Sequence, residues 1–493
     1  METIISIKPI LAITVSALSA FLIAITGEKL RNLRETWSIL ASIFKFLVVV
    51  SMLPDILCGK VIEYYLFKIT SELILHFRVD ALGLFFAMTA SFLWIITSFY
   101  SIGYMRGLNE HKQTRYFVYF AITLSATMAV AFSANIFTAF VFYEIITIAT
   151  YPLVAHKETE EAKKGARKYL AYLLSTSVAF QLTAIVFTYC LSGNLYFSKG
   201  GLLSSDISSS LLTITFLLYI AGITKAAIMP LHSWLPAAMV APTPVSALLH
   251  AVAVVKTGVF MIIRVVFYIF GVDLLKSLNL GTVLAVVASF TIVAASVIAL
   301  RQDNLKLRLA YSTVSQLSYI VLGAALLSPS ALKGSIFHIV AHAFGKITLF
   351  FTAGAIYVAT RKTKISELDG IGKRMPLTMA SFTVGAVSMI GVPPFAGFIS
   401  KWYLSVGAIE SDELFVLVIL AISTILNACY FMPIVYAAFM KESKNNEYNG
   451  INEAPILVLI PTVLTAVLTL LIFLYPDLFM KLIMLIVNQT LGG

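Results

Sequence analysis

The chain has 493 residues, of which 59% are hydrophobic and only 12% are charged, and its mean hydropathy is +0.93. A soluble domain carries about 25% charged residues because its surface faces water, so this composition excludes an ordinary soluble globule. The net charge of +11 lies in short loops between apolar runs, as membrane topology requires, and we expect no nucleic-acid partner. The three cysteines, Cys58, Cys190 and Cys429, are too far apart for a Cys-rich metal site.

Apolar runs follow one another along the whole chain. Runs of about 18 to 25 residues number about fourteen, which predicts an all-α polytopic membrane protein. The first run is longer than the apolar part of a signal peptide and is interpreted as a retained helix. The predicted segments are 3–25, 37–57, 79–101, 115–132, 134–154, 166–192, 210–230, 243–268, 280–299, 308–327, 331–358, 376–408, 412–440 and 455–483.

The loops differ in their content of basic residues. Loops after odd-numbered segments carry about 21 Lys and Arg residues and those after even-numbered segments about 7, which places the odd loops in the cytoplasm. We therefore expect a multi-pass protein of the cell (cytoplasmic) membrane with both termini on the outer side.

Two segments contain proline clusters, and each cluster has a lysine beside it. KAAIMPLHSWLPAAMVAPTP begins at Lys225, and IGVPPFAGFISKWY contains Lys401. Proline removes an amide donor and clashes with the preceding turn, so each cluster predicts a helix broken inside the membrane. Matching breaks indicate two inverted five-helix repeats, segments 4–8 and 9–13, although two unrelated kinks remain an alternative. The predicted breaking residues are Pro230, Pro236, Pro242, Pro244, Pro393 and Pro394.

These repeats divide the chain into four parts. We predict N-terminal helices 1–3 over residues 1–105, a first repeat over 106–268, a second repeat over 280–440, and a C-terminal helix 14 within 455–493.

Several ionisable residues lie inside apolar segments. Glu144, Lys225 and Lys256 are examples, and a charge at the bilayer centre costs at least about 2.5–3.5 kcal/mol. A buried carboxylate paired with a lysine can hold and release a proton when the pair separates. A proton relay is the functional interpretation; a neutral structural carboxyl or a snorkelling lysine is the alternative.

His338, His342 and Lys346 are spaced four residues apart, which puts them on one stripe of a helix. Histidine titrates near neutral pH and transfers protons between its ring nitrogens, so this stripe extends the predicted relay. His250 is a further candidate for which a structural role is equally open. No HExxH motif or acidic cluster accompanies the histidine pair, so we expect no metal site. Phosphate-binding loops and GxSxG elbows are also missing, so we expect no catalytic residue and no cofactor in this chain.

Five stretches resemble the antiporter-like subunits shared by respiratory complex I, Mrp-type sodium/proton antiporters and membrane-bound hydrogenase complexes. They are FYEIITIATYPLVAHK, KAAIMPLHSWLPAAMVAPTPVSALLHAVAVVKTGVF, RQDNLKLRLAYSTVSQLSY, HIVAHAFGKITLFFTAG and MIGVPPFAGFISKW. The resemblance implies fourteen helices with two inverted repeats and a mid-membrane chain of polar groups. In that chain Glu144 and Lys225 would form a pair, and Lys256 would connect it to His338, His342 and Lys346. Lys401 would be the terminal ionisable residue.

The resemblance implies a proton-translocating subunit of a multisubunit respiratory-chain or antiporter complex, with protons moved alone or in exchange for Na+. The partners would be the other membrane subunits of that complex. If the complex is an oxidoreductase of the hydrogenase or NADH dehydrogenase type, iron–sulfur or nickel–iron centres would lie in its partner subunits. The alternatives are a free-standing transporter of a small solute and a non-conducting structural subunit.

Overall fold

The computed structural model describes residues 2–70, 73–442 and 450–491. Over these residues the chain is mostly helical, with one small sheet. The strands are β1 (Thr3–Ile5), β2 (Val61–Lys68) and β3 (Ile74–Val79). The helices are α1 (Lys8–Thr26), α2 (Arg31–Val50), α3 (Leu53–Leu57), α4 (Ala81–Gly107), α5 (Gln113–Ala131), α6 (Ile136–Val154), α7 (Glu160–Thr176), α8 (Leu182–Ser192), α9 (Ser209–Gly222), α10 (Trp234–Ala237), α11 (Thr243–Ala247), α12 (Val254–Arg264), α13 (Val272–Ser277), α14 (Leu280–Leu300), α15 (Leu305–Ala325), α16 (Pro329–Thr360), α17 (Ile371–Arg374), α18 (Pro376–Ile390), α19 (Ala396–Glu410), α20 (Phe415–Met440), α21 (Ile456–Leu474) and α22 (Asp477–Leu491).

Every predicted apolar segment coincides with a helix or a helix pair. Within the described ranges, ten helices are long and apolar enough to cross a membrane, which confirms the predicted class of a helical, multi-span protein. The count of about fourteen spans stays a prediction. Segment 455–483 divides into α21 and α22 because Pro476 cannot continue a helix from the preceding turn.

The small sheet was not predicted from the sequence. β1 pairs parallel with β2, and β2 pairs antiparallel with β3, although residues 3–5 were expected to open the first helix. β3 leads directly into α4, whose N-cap Asp80 accepts a hydrogen bond from the Gly83 amide at 2.8 Å. The sheet therefore fixes the starts of α1 and α4 at the same end of the helices.

Both proline clusters interrupt helical structure. α9 ends at Gly222, and one 3₁₀ turn, Thr224–Ala226, carries the chain toward α10. α18 ends at Ile390 and α19 begins at Ala396, with Pro393 and Pro394 in the gap. Breaks at both predicted places are thus confirmed, although the individual prolines differ in position. Pro236 lies inside α10, Pro242 is the N-cap of α11 and Pro244 lies in its first turn.

Two spans form the interior of the protein. The apolar windows of 243–270 and of α16 are completely buried, whereas those of the other eight candidate spans in the described ranges are 33–78% buried. The first of these spans contains π-helical turns at Leu248–Val252 and Val265–Phe270, on either side of α12. π-Turns inside α-helices are often found at functional sites. Ionisable side chains on these two spans face protein and not lipid.

Candidate functional site: a set of buried ionisable side chains

The first break places Lys225 against α6. The Lys225 Nζ donates to the Tyr143 carbonyl at 2.9 Å and to the Thr147 hydroxyl at 2.6 Å, and it lies 3.1 Å from the centroid of the Tyr143 ring. Glu144 lies on the same turn of α6, close enough for its charge to act on Lys225. The two side chains make no ion pair within 4.0 Å, and both Glu144 oxygens are buried without a hydrogen-bond partner. The lysine and the carboxylate are therefore neighbours without direct contact.

A glycine on α12 makes room for this break. A Cβ atom at Gly258 would lie 2.2 Å from the Ala226 nitrogen and 2.3 Å from the Lys225 carbonyl carbon. Any larger residue would displace the turn that carries Lys225, so α12 sets the position of the lysine through close backbone contact.

The second break exposes two backbone carbonyls. Residues 393 and 394 would normally donate to the carbonyls of Met389 and Ile390, but both are prolines without an N–H. The Lys401 Nζ donates to the Ile390 carbonyl at 2.7 Å and to the Thr424 hydroxyl at 3.1 Å. The Met389 carbonyl accepts from amide side chains, those of Gln316 at 3.4 Å and Asn427 at 3.3 Å. The break thus creates the acceptors that hold a buried lysine.

The predicted stripe on α16 is fully buried. The rings of His338 and His342 are 5.9 Å apart, centroid to centroid, and the Nδ1 of His338 is 2.8 Å from the Ser400 hydroxyl on α19. Both nitrogens of His342 lack a hydrogen-bond partner. The Lys346 Nζ donates to the Ser312 hydroxyl at 2.6 Å. The stripe therefore combines anchored groups with one unpartnered imidazole.

His250 and Lys256 lie on the other buried span. The His250 ring packs on Phe350 of α16 at 4.7 Å between centroids, and neither of its nitrogens has a hydrogen-bond partner. The Lys256 Nζ is also buried and unpartnered. Lys256 and His250 are both among the ionisable neighbours of His342, so the two buried spans come together near that imidazole.

Hydroxyl and amide side chains connect Lys346 to the second break. Ser312, which accepts from Lys346, is 2.8 Å from the Tyr430 hydroxyl, and that hydroxyl donates to Asn427 Oδ1 at 2.5 Å. Asn427 in turn reaches the Met389 carbonyl. Sequence reasoning missed these connectors because serine, tyrosine and asparagine in apolar segments carry no distinctive pattern.

We call the eight predicted residues the ionisable set: Glu144, Lys225, His250, Lys256, His338, His342, Lys346 and Lys401. Seven of them are at most 8% exposed, and the carboxylate oxygens of Glu144 are buried as well. None faces lipid with its ionisable atoms. The structure brings these side chains into the interior and interleaves them with polar groups.

Other buried charges were not singled out from the sequence, and Lys45 and Arg264 are two of them. Lys45 on α2 is fully buried, donates to the Leu124 carbonyl at 3.0 Å and lies 4.6 Å from the Trp94 ring centroid. Arg264, at the end of α12, pairs with Asp80 at 2.7 Å. Both lie in or beside predicted segments, so a full search for charges in apolar runs would have found them.

The geometry can be compared with known proteins. The family profile described as "NADH:quinone oxidoreductase/Mrp antiporter, TM" matches residues 133–427, more than half of the chain. The chain belongs to this family. Its matched region contains the whole ionisable set and both breaks. The predicted family resemblance is therefore confirmed, and the chain is a multi-pass membrane protein.

The similar proteins come from more than one kind of assembly. The chain is 32% identical to NADH-quinone oxidoreductase subunit N of Desulforudis audaxviator, over 74% of this chain and 72% of that protein. It is 30% identical to a Na(+)/H(+) antiporter subunit of Alkalihalophilus pseudofirmus, over 93% of this chain but only 60% of the relative's own length. A chain of the membrane-bound sulfane sulfur reductase, an archaeal respiratory membrane complex, superposes with a TM-score of 0.88 at 25% identity, covering 98% of both chains.

Proposed function

We propose that this chain is the ion-translocating membrane subunit of a multisubunit complex and that it moves protons through the ionisable set. The observation that supports this most directly is that two fully buried spans carry unpartnered ionisable atoms on Lys256, His250 and His342. Burying a polar group without a partner costs free energy, so a fold that only needed stability would place apolar residues there. Ionisable groups in that position are suited to bind and release protons.

The proposed switch is the neighbourhood of Glu144 and Lys225. A lysine is easier to deprotonate in an apolar environment, and a nearby carboxylate opposes that effect. Small movements of the first-break turn change the distance between the ammonium and the carboxylate, since no direct contact fixes it. Movement away from Glu144 would release the Lys225 proton toward Lys256, and movement back would recapture one.

The central groups would pass the proton between the two halves. His342 lies near Lys256, Lys346, His338 and His250, and like-charge repulsion makes protonation of His342 harder when one of these neighbours is charged. Groups that do not touch exchange protons through bridging water. From the α16 stripe, Lys346 with its connectors and His338 with Ser400 lead toward Lys401 at the second break.

Further parts of the proposal rest on the sequence and on the relatives. We infer two inverted repeats, over 106–268 and 280–440, flanked by helices 1–3 and a C-terminal segment, in a cell membrane with both termini outside. Energy would come from partner subunits, through redox centres located there or through an opposing Na+ gradient. The relatives' names are those of an oxidoreductase component and of an antiporter component, which supports a complex of one of these types.

The test is coupled ion transport by the purified complex in vesicles. His342→Ala and Lys346→Met should each reduce proton movement to the background of empty vesicles while the complex still assembles. Lys276→Met, which removes an exposed lysine, is the matched control and should transport normally. Unchanged transport in both buried variants would overturn the proposal and favour a non-conducting structural role.

A further inference from the structure

A cluster of metal-ligating side chains lies outside the ionisable set, at the end of α6 opposite the sheet. Glu110 and His111 lie in the loop between α4 and α5, and His156 lies just after α6. One ligand atom from each of the three residues lies within 4.8 Å of the other two. Residues far apart in sequence thus present two imidazoles and a carboxylate to one point.

His156 provides a second and independent observation. Its side chain is completely buried, yet neither ring nitrogen has a hydrogen-bond partner. The ring stacks on His111 with 5.0 Å between centroids and meets the edge of Tyr116 at 6.0 Å. A buried imidazole normally has a partner for its N–H, because an unsatisfied polar group costs about 1–3 kcal/mol. An ion at the cluster would supply that partner for the nitrogen lone pair.

The neighbouring cations do not prevent binding of a positive ion. Lys112 and Arg115 belong to the same loop and helix start, and both are held by Glu158, at 2.7 and 2.5 Å. The Glu158 carboxylate thus offsets part of the positive charge of Lys112 and Arg115. The Glu158 carboxylate also lies 3.9 Å from the Nε2 of His111.

We propose that Glu110, His111 and His156 bind a divalent transition cation of the Zn2+ type. Two imidazoles and one carboxylate are a ligand set that zinc uses with a fourth position open to water. Ligands at about 2.1 Å from zinc are about 3.4 Å from each other in a tetrahedron, so the cluster must contract slightly. His111 is exposed, Glu110 is half-buried and both lie in a loop, so their side chains are free to rotate toward the ion. The bound ion ties the α4–α5 loop to the end of α6.

The experiment is a titration of the purified complex with Zn2+, followed by calorimetry. A second titration uses Co2+, whose visible absorption spectrum reports nitrogen and oxygen ligands. The wild type should show a site that His156→Gln and His111→Gln each weaken about tenfold or more. Glu160→Gln is the control, since this exposed carboxylate pairs with Lys163 and is not one of the proposed ligands, so the variant should bind the ion normally.

His111→Gln keeps the test decisive if the buried His156 variant fails to fold, because the His111 side chain is 45% exposed. Zn2+ binding that is equal in the wild type and in His111→Gln would overturn the proposal. Failure of the wild type to bind Zn2+ would overturn it too, and would assign His156 to aromatic packing alone. Neither result depends on whether the complex transports protons.

Discussion

Both helix breaks hold a buried lysine, but different neighbouring groups surround the two lysines. At the first, Lys225 donates to a carbonyl and a hydroxyl on α6, with the Glu144 carboxylate near enough to act on it. At the second, Lys401 also donates to a carbonyl and a hydroxyl, but no carboxylate within the described residues acts on it. Broken backbone is therefore sufficient to hold a buried lysine. The carboxylate at the first break is an addition, which suggests that the two lysines respond differently to movement of their surroundings.

Among the changes that compare the two breaks, the largest expected effect comes from removing the Glu144 charge. Glu144→Gln keeps the size of the side chain and removes its charge, so Lys225 loses the carboxylate that helps to keep it protonated. We expect coupled proton transport to fall roughly 10²-fold, the size of effect typical of a lost acid–base partner. Transport measured in vesicles, with assembly of the complex checked on native gels, tests this.

The contradicting outcome is normal transport by an assembled Glu144→Gln complex. In that case the two breaks would work alike, and the carboxylate would be structural.

Packing should also distinguish the breaks. Gly258→Ala places a Cβ against the rigid backbone of Ala226, whereas a Cβ at Gly391 would meet the flexible Lys401 side chain, with Cδ at 2.6 Å. Overpacking against rigid backbone should destabilise the protein by about 1–3 kcal/mol. At Gly391 the cost should arise from its φ of +88° instead.

Thermal unfolding of both glycine variants provides the measurement. Gly258→Ala should also lower transport, because it shifts Lys225, and a Gly258→Ala protein with wild-type transport and stability would show that the close approach is unimportant.

The second break can be made to resemble the first. Thr424→Asp puts a carboxylate where the hydroxyl now accepts from Lys401, and the new ion pair should hold the lysine protonated. We expect transport to fall about tenfold, corresponding to a stabilisation of about 1.4 kcal/mol. Thr424→Asn, of equal size and no charge, should transport nearly as the wild type does. If the Asp and Asn variants behave alike, charge at this position does not matter.

The smallest expected effects concern the prolines of the second break. Pro394→Ala restores an N–H that competes with Lys401 for the Ile390 carbonyl, whereas Pro393→Ala affects only the Met389 carbonyl and its amide partners. A competing hydrogen bond is worth about 1 kcal/mol, so Pro394→Ala should slow transport about fivefold. Pro393→Ala should have less effect. Side-by-side transport rates test the order, and a larger loss in Pro393→Ala would reverse the assignment.

Residues that cost free energy inside a membrane could be recognised from the sequence. Lys225, Lys256 and the α16 histidines are conspicuous in apolar runs, and the structure places all of them in its interior. Proline is also costly inside a membrane helix, so the two proline clusters indicated where the helices break. Their functional roles remain proposals.

Other features depended on three-dimensional neighbours and could not be read from the chain. The direct ion pair expected between Glu144 and Lys225 is replaced by contacts of Lys225 with Tyr143 and Thr147. The three-stranded sheet forms from short segments that resemble the start of a helix or a loop. The cluster of Glu110, His111 and His156 joins two loops, and its spacing matches no linear metal motif.

A comparison of two buried lysines tests the proposed proton route most directly. Lys256 has no hydrogen-bond partner and is an ionisable neighbour of His342. Lys45, in contrast, donates to a carbonyl and has no charged neighbour within the described residues. Proton movement should be measured with a pH-sensitive dye in vesicles that contain the complex with Lys256→Met or Lys45→Met. We expect Lys256→Met to abolish proton movement in an assembled complex and Lys45→Met to retain it. Normal proton movement with Lys256→Met would contradict the claim that the buried ionisable groups form the route.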